Sequence, residues 1–153
     1  MREIVFRAKM LNWEKPNKIK RWFTGYYATL KDTSYCFKED YDKFPVTTHH
    51  LLLQEQSTDW GLPNELIPLE IDPKTLCQYT GHKDKNGVKI FENDLVKIKN
   101  GDIGHVYWDE EAAAYRVAFE KDRYIYAFSS RFQDEYEVVG NIIEDDSIFS
   151  RNE

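Results

Sequence analysis

The 153-residue sequence has little of several features that would narrow its class. Its two cysteines, Cys36 and Cys77, form no CxxC motif, so we predict neither a disulfide framework nor a zinc site. No apolar run approaches the roughly 20 residues that span a bilayer, and the opening MREIVFRAK lacks the apolar segment and cleavage site of a signal peptide. We therefore expect a cytoplasmic protein with reduced thiols and no membrane partner.

Short motifs that mark catalytic and cofactor sites are also missing. The sequence has no Ser-His-Asp order, nucleophile elbow or GxGxxG, and the glycines of DKNG and NGDIG precede no predicted helix that could bind phosphate. Asp109, Glu110 and Glu111 follow Trp108 and could include a general acid, although a solvated turn is the commoner interpretation. We expect a protein that is not an enzyme and needs no cofactor.

The four histidines give no ligand pattern. His49 and His50 are adjacent, so on a strand their side chains point to opposite faces and cannot hold one metal ion. His82 and His105 lie in different predicted hairpins, with no cysteine or glutamate at the spacing of known zinc motifs. We predict no metal site.

Aromatic residues are abundant, at 15% of a chain that is 41% hydrophobic and 31% charged. A small core needs fewer, so we expect some of them to face a partner. The net charge is −6, and it is uneven: residues 1–60 hold 10 basic and 8 acidic residues, whereas residues 61–153 hold 11 and 19. The C-terminal part is therefore strongly acidic.

Prolines cluster between Thr58 and Pro73, and each one removes a backbone donor and keeps its predecessor extended. We therefore predict an N-terminal β-rich region over residues 1–70, a C-terminal domain over 71–148 and a frayed tail over 149–153.

The N-terminal region shows two strand patterns. Ile4-Val5-Phe6 opens the first, and Arg21–Leu30 is the second, in which Gly25 indicates a bulge or a close contact. Lys43–Gln56 fits a strand or a helix, with a strand slightly favoured by Val46-Thr47-Thr48.

Turn residues punctuate the C-terminal domain. Asp72-Pro73 predicts a capped single helical turn, Asp84–Gly87 predicts a hairpin loop with Asn86 and Gly87 at positive φ, and Asn93 is placed to adopt the left-handed conformation.

A second hairpin is predicted around Asn100-Gly101. A two-residue loop there would join strands Leu95–Lys99 and Ile103–Trp108 and place Lys99 opposite Asp102.

Alternating apolar residues predict two more strands, over residues 115–119 and 124–128, on either side of a turn at Glu120–Arg123. A helical turn at Ser129–Phe132 and a last strand at Val138–Ile143 complete the outline of an SH3-like five-stranded barrel, on which the N-terminal region packs. Its predicted core is Val96, Ile98, Val106, Trp108, Val117, Phe119 and Val139.

The segment QYTGHKDKNGVKIFENDLV resembles the central motif of the YopX family of small phage and prophage proteins. MREIVFRA, RWFTGYY, IDPKT, GHVYWDEE and EVVGNIIED resemble other parts of the family pattern, so the likeness covers nearly the whole chain. The sequence departs from the pattern at Cys77 and Asn93, where the family usually has glycine, and at His82, where an apolar residue is common. The resemblance implies a β-rich fold ending in a barrel, a mobile-element origin and the cytosol of a bacterial host, but no established activity.

Two kinds of partner follow from the residues. Basic and aromatic side chains stand together in the N-terminal region, as in proteins that bind single-stranded nucleic acid, while surplus tyrosine and tryptophan are typical of protein interfaces. A protein partner from the host, the phage or a second copy of the chain is favoured because the acidic half would repel nucleic acid. The candidate interaction surface is Lys18, Lys20, Arg21, Trp22, Phe23, Tyr26 and Tyr27. We also expect a homo-oligomer, because a small β-rich protein leaves edge strands unpaired.

Overall fold

The computed structural model describes residues 3–11, 21–119, 124–127 and 135–144, with only the backbone for 124–127. The described residues form antiparallel sheets and one short α-helix, so the mainly β class is confirmed. In chain order the elements are β1 Phe6–Lys9, β2 Trp22–Lys31, α1 Lys38–Lys43, β3 Thr48–Gln56, β4 Glu65–Glu70, a 3-10 turn Pro73–Thr75, β5 Cys77–Lys83, β6 Lys89–Phe91, β7 Asp94–Lys97, β8 Ile103–Asp109, β9 Ala114–Phe119, β10 Tyr124–Ala127 and β11 Glu137–Asn141.

The chain divides into two compact units. The N-terminal unit is Val5–Leu76, and the C-terminal unit consists of Met1–Ile4 and Cys77–Glu153. The prediction that residues 1–70 and 71–148 are separate domains stays a prediction.

The sheet of the N-terminal unit has the strand order β4-β3-β2-β1. Phe6 pairs with Gly25, Tyr27 with Leu52, and Leu52 in turn with Leu69. Alternate residues of a strand point to opposite faces, so the register sends one set of side chains to the core. That core contains Ala8, Leu52 and Ile71, with Phe6, Phe23, Tyr27 and Leu76 packed against it.

The predicted strands of this unit are confirmed, with shifted ends. The first begins at Phe6 instead of Ile4, and the ambiguous segment contains strand β3. Gly25 is in close contact: a Cβ added there would lie 2.5 Å from the backbone oxygen of Leu53. Any larger residue at position 25 would push β2 away from β3.

Helix α1 has no counterpart among the sequence predictions. It is only six residues long, and its first turn contains Glu39 and Asp40 while its last contains Lys43. This charge order suits the helix dipole. Periodicity cannot reveal so short a helix, because it spans fewer than two turns.

The capped turn after β4 is confirmed. The side chain of Asp72 accepts a hydrogen bond from the backbone N–H of Lys74 at 3.0 Å, and Pro73 begins the 3-10 turn. The Thr75 hydroxyl accepts from the backbone N–H of Lys9 at 2.9 Å. The turn thus ties the end of the N-terminal unit to β1.

The five-stranded sheet of the C-terminal unit has the strand order β10-β9-β8-β7-β11. Its strands correspond to the five that the sequence predicts. Within the described residues no pairing joins the edge strands β10 and β11, so no closed barrel is found. The predicted turns at Glu120–Arg123 and Ser129–Phe132, and the tail over 149–153, lie outside the described residues.

The loop between β7 and β8 differs from the prediction. Lys97 pairs with Ile103, and the backbone N–H of Ile98 donates to the oxygen of Asp102 at 3.0 Å. Asp102 is therefore opposite Ile98, not Lys99, and the loop has three residues that end in Gly101 at φ 97°. Three-residue loops commonly place a left-handed residue last, so Gly101 favours the longer loop.

In the core of the C-terminal unit, Val96, Val106, Val117 and Phe119 are buried, as predicted, and Ile98 packs against them. Two predictions were wrong: Trp108 is 39% exposed and Val139 is 43% exposed. Trp108 lies next to the last residue of β8, where the sheet ends. Val139 lies at a register shift between Val138 and Gly140, and such a bulge redirects a side chain. The core residues that the prediction lacked are Ile90, Tyr115 and Tyr136.

Candidate interaction surfaces

The predicted aromatic surface on β2 is divided between two faces of the sheet. Phe23 and Tyr27 point to the core. The Tyr27 hydroxyl lies 2.6 Å from Nδ1 of His50, and the rings of these two residues are stacked. Trp22 and Tyr26 point to the opposite face, where Tyr26 is 53% exposed. Only the second pair of aromatics is therefore placed to meet a partner. Lys18 and Lys20 lie outside the described residues.

We call this opposite side of the N-terminal sheet the outer face. Its register places Tyr26 beside Leu53 and Leu53 beside Pro68, so that an apolar row crosses three strands. Leu30 and Leu66 extend it and are 58% and 56% exposed. The result is an exposed apolar strip of the kind that proteins use for binding.

Cations border the strip on the side of β1. The guanidinium carbon of Arg7 lies 4.7 Å from the ring centre of Trp22, and Nζ of Lys9 lies 5.2 Å from it. Arg21 is exposed but lies over Phe23, with 5.7 Å between its guanidinium carbon and the ring centre, so it is on the core side of the sheet and does not border the strip. The sequence prediction included Arg21 but lacked Arg7 and Lys9, which only strand pairing brings beside Trp22.

A further aromatic residue stands at the tip of the β3–β4 hairpin. Trp60 is 98% exposed, in a turn closed by a 3.0 Å hydrogen bond from Leu62 N–H to the Asp59 oxygen. The Thr58 hydroxyl donates to the Pro63 oxygen at 2.7 Å, which holds the loop together. The predicted surface did not include Trp60, although a tryptophan among turn residues, away from any strand pattern, indicates an exposed aromatic side chain.

The C-terminal unit has a small cavity of ≈ 210 Å³, lined by Gln78, Glu92, Trp108 and Tyr115. Trp108 and Tyr115 pair across β8 and β9, with ring centres 5.0 Å apart in an edge-to-face arrangement. Burial raises the pKa of Glu92, and a hydrogen bond with the backbone of Gln78 offsets part of that rise. The cavity thus combines one carboxylate with two aromatic rings.

The carboxylates after Trp108 form a turn. Asp109 pairs with Arg116 at 2.7 Å between Oδ2 and Nε, and its Oδ1 accepts the backbone N–H groups of Glu111 and Ala112, each at 3.0 Å. Glu110 and Glu111 are exposed. These carboxylates therefore belong to a solvated turn and do not form a cluster of interacting acids.

The histidines are dispersed. His49 and His50 point to opposite faces as predicted, since Nδ1 of His49 lies 2.7 Å from Oε1 of Glu70 while His50 contacts Tyr27. His105 lies on β8 beside Tyr107 and His82 on β5. Among the described residues no group of three or more His, Cys, Asp or Glu could hold a metal ion. No helix in that part of the chain is long and apolar enough to cross a membrane.

The central motif consists of turns held by buried carboxylates. Asp84 Oδ1 accepts the backbone N–H groups of Asn86 and Val88, and Gly87 adopts φ 81°. Asn86 is not among the described residues with positive φ, so the prediction for it was wrong. Oδ2 of Asp94, a fully buried residue, accepts the backbone N–H of Phe91 at 2.8 Å. The carboxylates of this motif therefore stabilise its turns by accepting backbone hydrogen bonds, and this structural role accounts for the residue types.

Comparison with protein families matches residues 7–148 to the YopX protein family. The chain belongs to the YopX family. The match covers most of the chain and confirms the resemblance seen in the sequence. No curated protein matches.

Cys77 and Asn93, the two residues that stand where the YopX pattern has glycine, contact each other. Nδ2 of Asn93 donates to Sγ of Cys77, 3.6 Å away. Asn93 adopts φ 64°, which confirms its predicted conformation and keeps the backbone geometry that glycine provides. The contact explains how this member of the YopX family accommodates both side chains.

Proposed function

We propose that this protein is a non-enzymatic accessory protein of a phage or prophage that binds another protein through the outer face of its N-terminal sheet. The observation that carries the proposal is the apolar row Tyr26–Leu53–Pro68, in which Leu53 is half-buried and the other two are exposed, extended by the exposed Leu30 and Leu66. The origin rests on the likeness to the YopX family.

The chemistry of the outer face indicates the kind of protein that it binds. Its centre is apolar and its β1 side carries Arg7 and Lys9 next to Trp22. Tryptophan, tyrosine and arginine are the residues that most often dominate binding energy at interfaces. A partner that presents apolar side chains next to carboxylates would complement this face.

Nucleic-acid binding is the second candidate, because Arg7 and Lys9 beside Trp22 resemble a stacking platform. Charge argues against it. The N-terminal unit has ten Lys or Arg and ten Asp or Glu, and the C-terminal unit has eleven and seventeen. Affinity for phosphates requires a surplus of cations, which neither unit has.

For the C-terminal unit we propose an SH3-like architecture. Support comes from five consecutive strands that form one antiparallel sheet in the order β10-β9-β8-β7-β11, with a core on one face. Small barrels of this kind serve as scaffolds for many functions, so the architecture by itself does not select one.

The test of protein binding is affinity purification from host cells with the wild type and a Tyr26→Ser/Leu66→Ser double variant. A stoichiometric protein that is retained by the wild type and lost with the double variant supports the proposal. Phe37→Ser is the matched control, because Phe37 is 69% exposed and lies outside the outer face. Equal retention by all three proteins would refute the outer face as the site.

The nucleic-acid alternative is tested by titration with labelled single- and double-stranded DNA and RNA at about 50 and 200 mM salt, a range over which multi-phosphate contacts weaken steeply. We expect no micromolar binding. Tight binding that falls with salt and is lost in an Arg7→Glu/Lys9→Glu variant would overturn our choice.

A further inference from the structure

We propose that the cavity between Glu92, Trp108 and Tyr115 binds an arginine side chain of a protein or peptide. This site belongs to the C-terminal unit and uses none of the residues of the outer face, so it goes beyond the function proposed above. The four lining residues come from β5, the turn before β7, β8 and β9.

The walls of the cavity are held in place by backbone pairing. Trp108 pairs with Tyr115 in the β8–β9 ladder, and the backbone N–H of Glu92 donates to the oxygen of Gln78 at 2.9 Å. Tyr115 is 8% exposed, so it anchors the more exposed Trp108 ring. A binding site whose walls are fixed before binding loses little entropy when it is filled.

The chemistry of the lining selects a cation. Glu92 lines the cavity partly buried, so its charge is less well solvated than at the surface and its pKa is raised. Among the described residues no Lys or Arg forms an ion pair with it. Arg116, a neighbouring cation, pairs with Asp109 and is opposite Tyr107, on the other face of the sheet from Trp108. An incoming cation would therefore satisfy Glu92 without displacing an existing ion pair.

Arginine fits better than lysine. Its planar guanidinium donates two parallel hydrogen bonds to a carboxylate and stacks on an aromatic ring at the same time. The cavity offers both a carboxylate and aromatic rings. The exposed Glu110 and Glu111 and the net negative charge of the C-terminal unit would attract a basic segment.

Titration of the full-length protein with short peptides tests this site. Three peptides differ only at the central residue, which is arginine, citrulline or lysine, and binding is followed by the Trp108 indole N–H signal in NMR spectra. We expect a saturable shift with the arginine peptide and about tenfold weaker binding of the citrulline peptide, which has the same shape but no charge. Equal binding of both, or tighter binding of lysine, would overturn the proposal.

Variants separate the cavity from general acidic attraction. Glu92→Gln is expected to lose the preference for arginine over citrulline, whereas Glu110→Gln, which removes an exposed carboxylate outside the cavity, keeps it. Trp108→Leu keeps an apolar side chain but removes the ring, and we expect weaker arginine binding, followed by the Gln78 backbone signal. If Glu110→Gln weakens binding as much as Glu92→Gln, the cavity is not the site.

Discussion

The carboxylate of Asp84 accepts a hydrogen bond from the backbone N–H of Val138, 3.1 Å away, and so joins the turn after β5 to β11. Its other oxygen accepts the N–H groups of Asn86 and Val88. Burial by itself would raise the pKa of Asp84, but the three backbone donors outweigh it and hold the pKa below its ordinary value. One side chain therefore stabilises both a local turn and a contact across 54 residues of sequence.

Replacing Asp84 by asparagine should destabilise the fold. Because charge-assisted hydrogen bonds are lost, we expect the free energy of unfolding at pH 7 to fall by about 2 kcal/mol. The folded-state pKa is lowered, so this stabilisation is present above the unfolded pKa of about 3.9 and is lost as the pH falls through the folded value. Urea unfolding at several pH values measures it, with the exposed Glu110→Gln as control. An Asp84→Asn protein as stable as the wild type at pH 7 would contradict this role.

Glu92→Gln should act in the opposite direction. Since burial raises the pKa of Glu92, its ionised form is less favourable in the folded protein, and this cost is present in full above the folded pKa. We expect a higher melting temperature for Glu92→Gln at pH 7, with the difference vanishing below the unfolded pKa of about 4.3. A gain in stability together with a loss of arginine binding is typical of a functional carboxylate. A lower melting temperature of Glu92→Gln at pH 7 would contradict the idea that burial of the Glu92 charge destabilises the fold.

Gly101→Val tests the loop between β7 and β8. A Cβ at Gly101 would have nothing within 4 Å, so the substitution acts through the backbone conformation at φ 97° alone. Valine at positive φ should cost of order 1–3 kcal/mol. Gly101→Asn is the matched variant and should cost less, because asparagine tolerates positive φ. Equal melting temperatures for the wild type and Gly101→Val would show that the loop has another conformation.

Self-association remains a prediction, and in the N-terminal unit the structure favours the outer face over the edge of strand β4 for it. Pro68 in the edge strand β4 removes a backbone donor, which discourages pairing with another strand. Size exclusion with light scattering at tens of micromolar should give a homo-oligomer mass, and Leu66→Lys should shift it to the monomer. Phe37→Lys, at an exposed residue outside the face, should not. A monomeric wild type would contradict self-association, and the outer face would then be available only to a different protein.

Local chemistry was enough to predict several elements from the sequence. The Asp72 cap, the left-handed Asn93 and the strand over residues 115–119 each depend on neighbours in the chain, and each is confirmed, although Ala118 on the opposite face of that strand is buried as well. The three-residue loop at Lys99–Gly101 was missed because Asn-Gly favours a two-residue turn, whereas the pairing of Lys97 with Ile103 decides the register.

The sequence by itself determined the family, through its likeness to the YopX pattern. It also determined the mainly β class and most strand positions, because residue periodicity and turn residues act over a few neighbours. Only the tertiary structure decided which aromatic side chains are available. Phe23 and Tyr27 are used by the core, while Tyr26 stays exposed, since strand register assigns alternate residues to opposite faces. Likewise, Glu92, Trp108 and Tyr115 are separated in sequence, and only the pairing of distant strands brings them to one cavity.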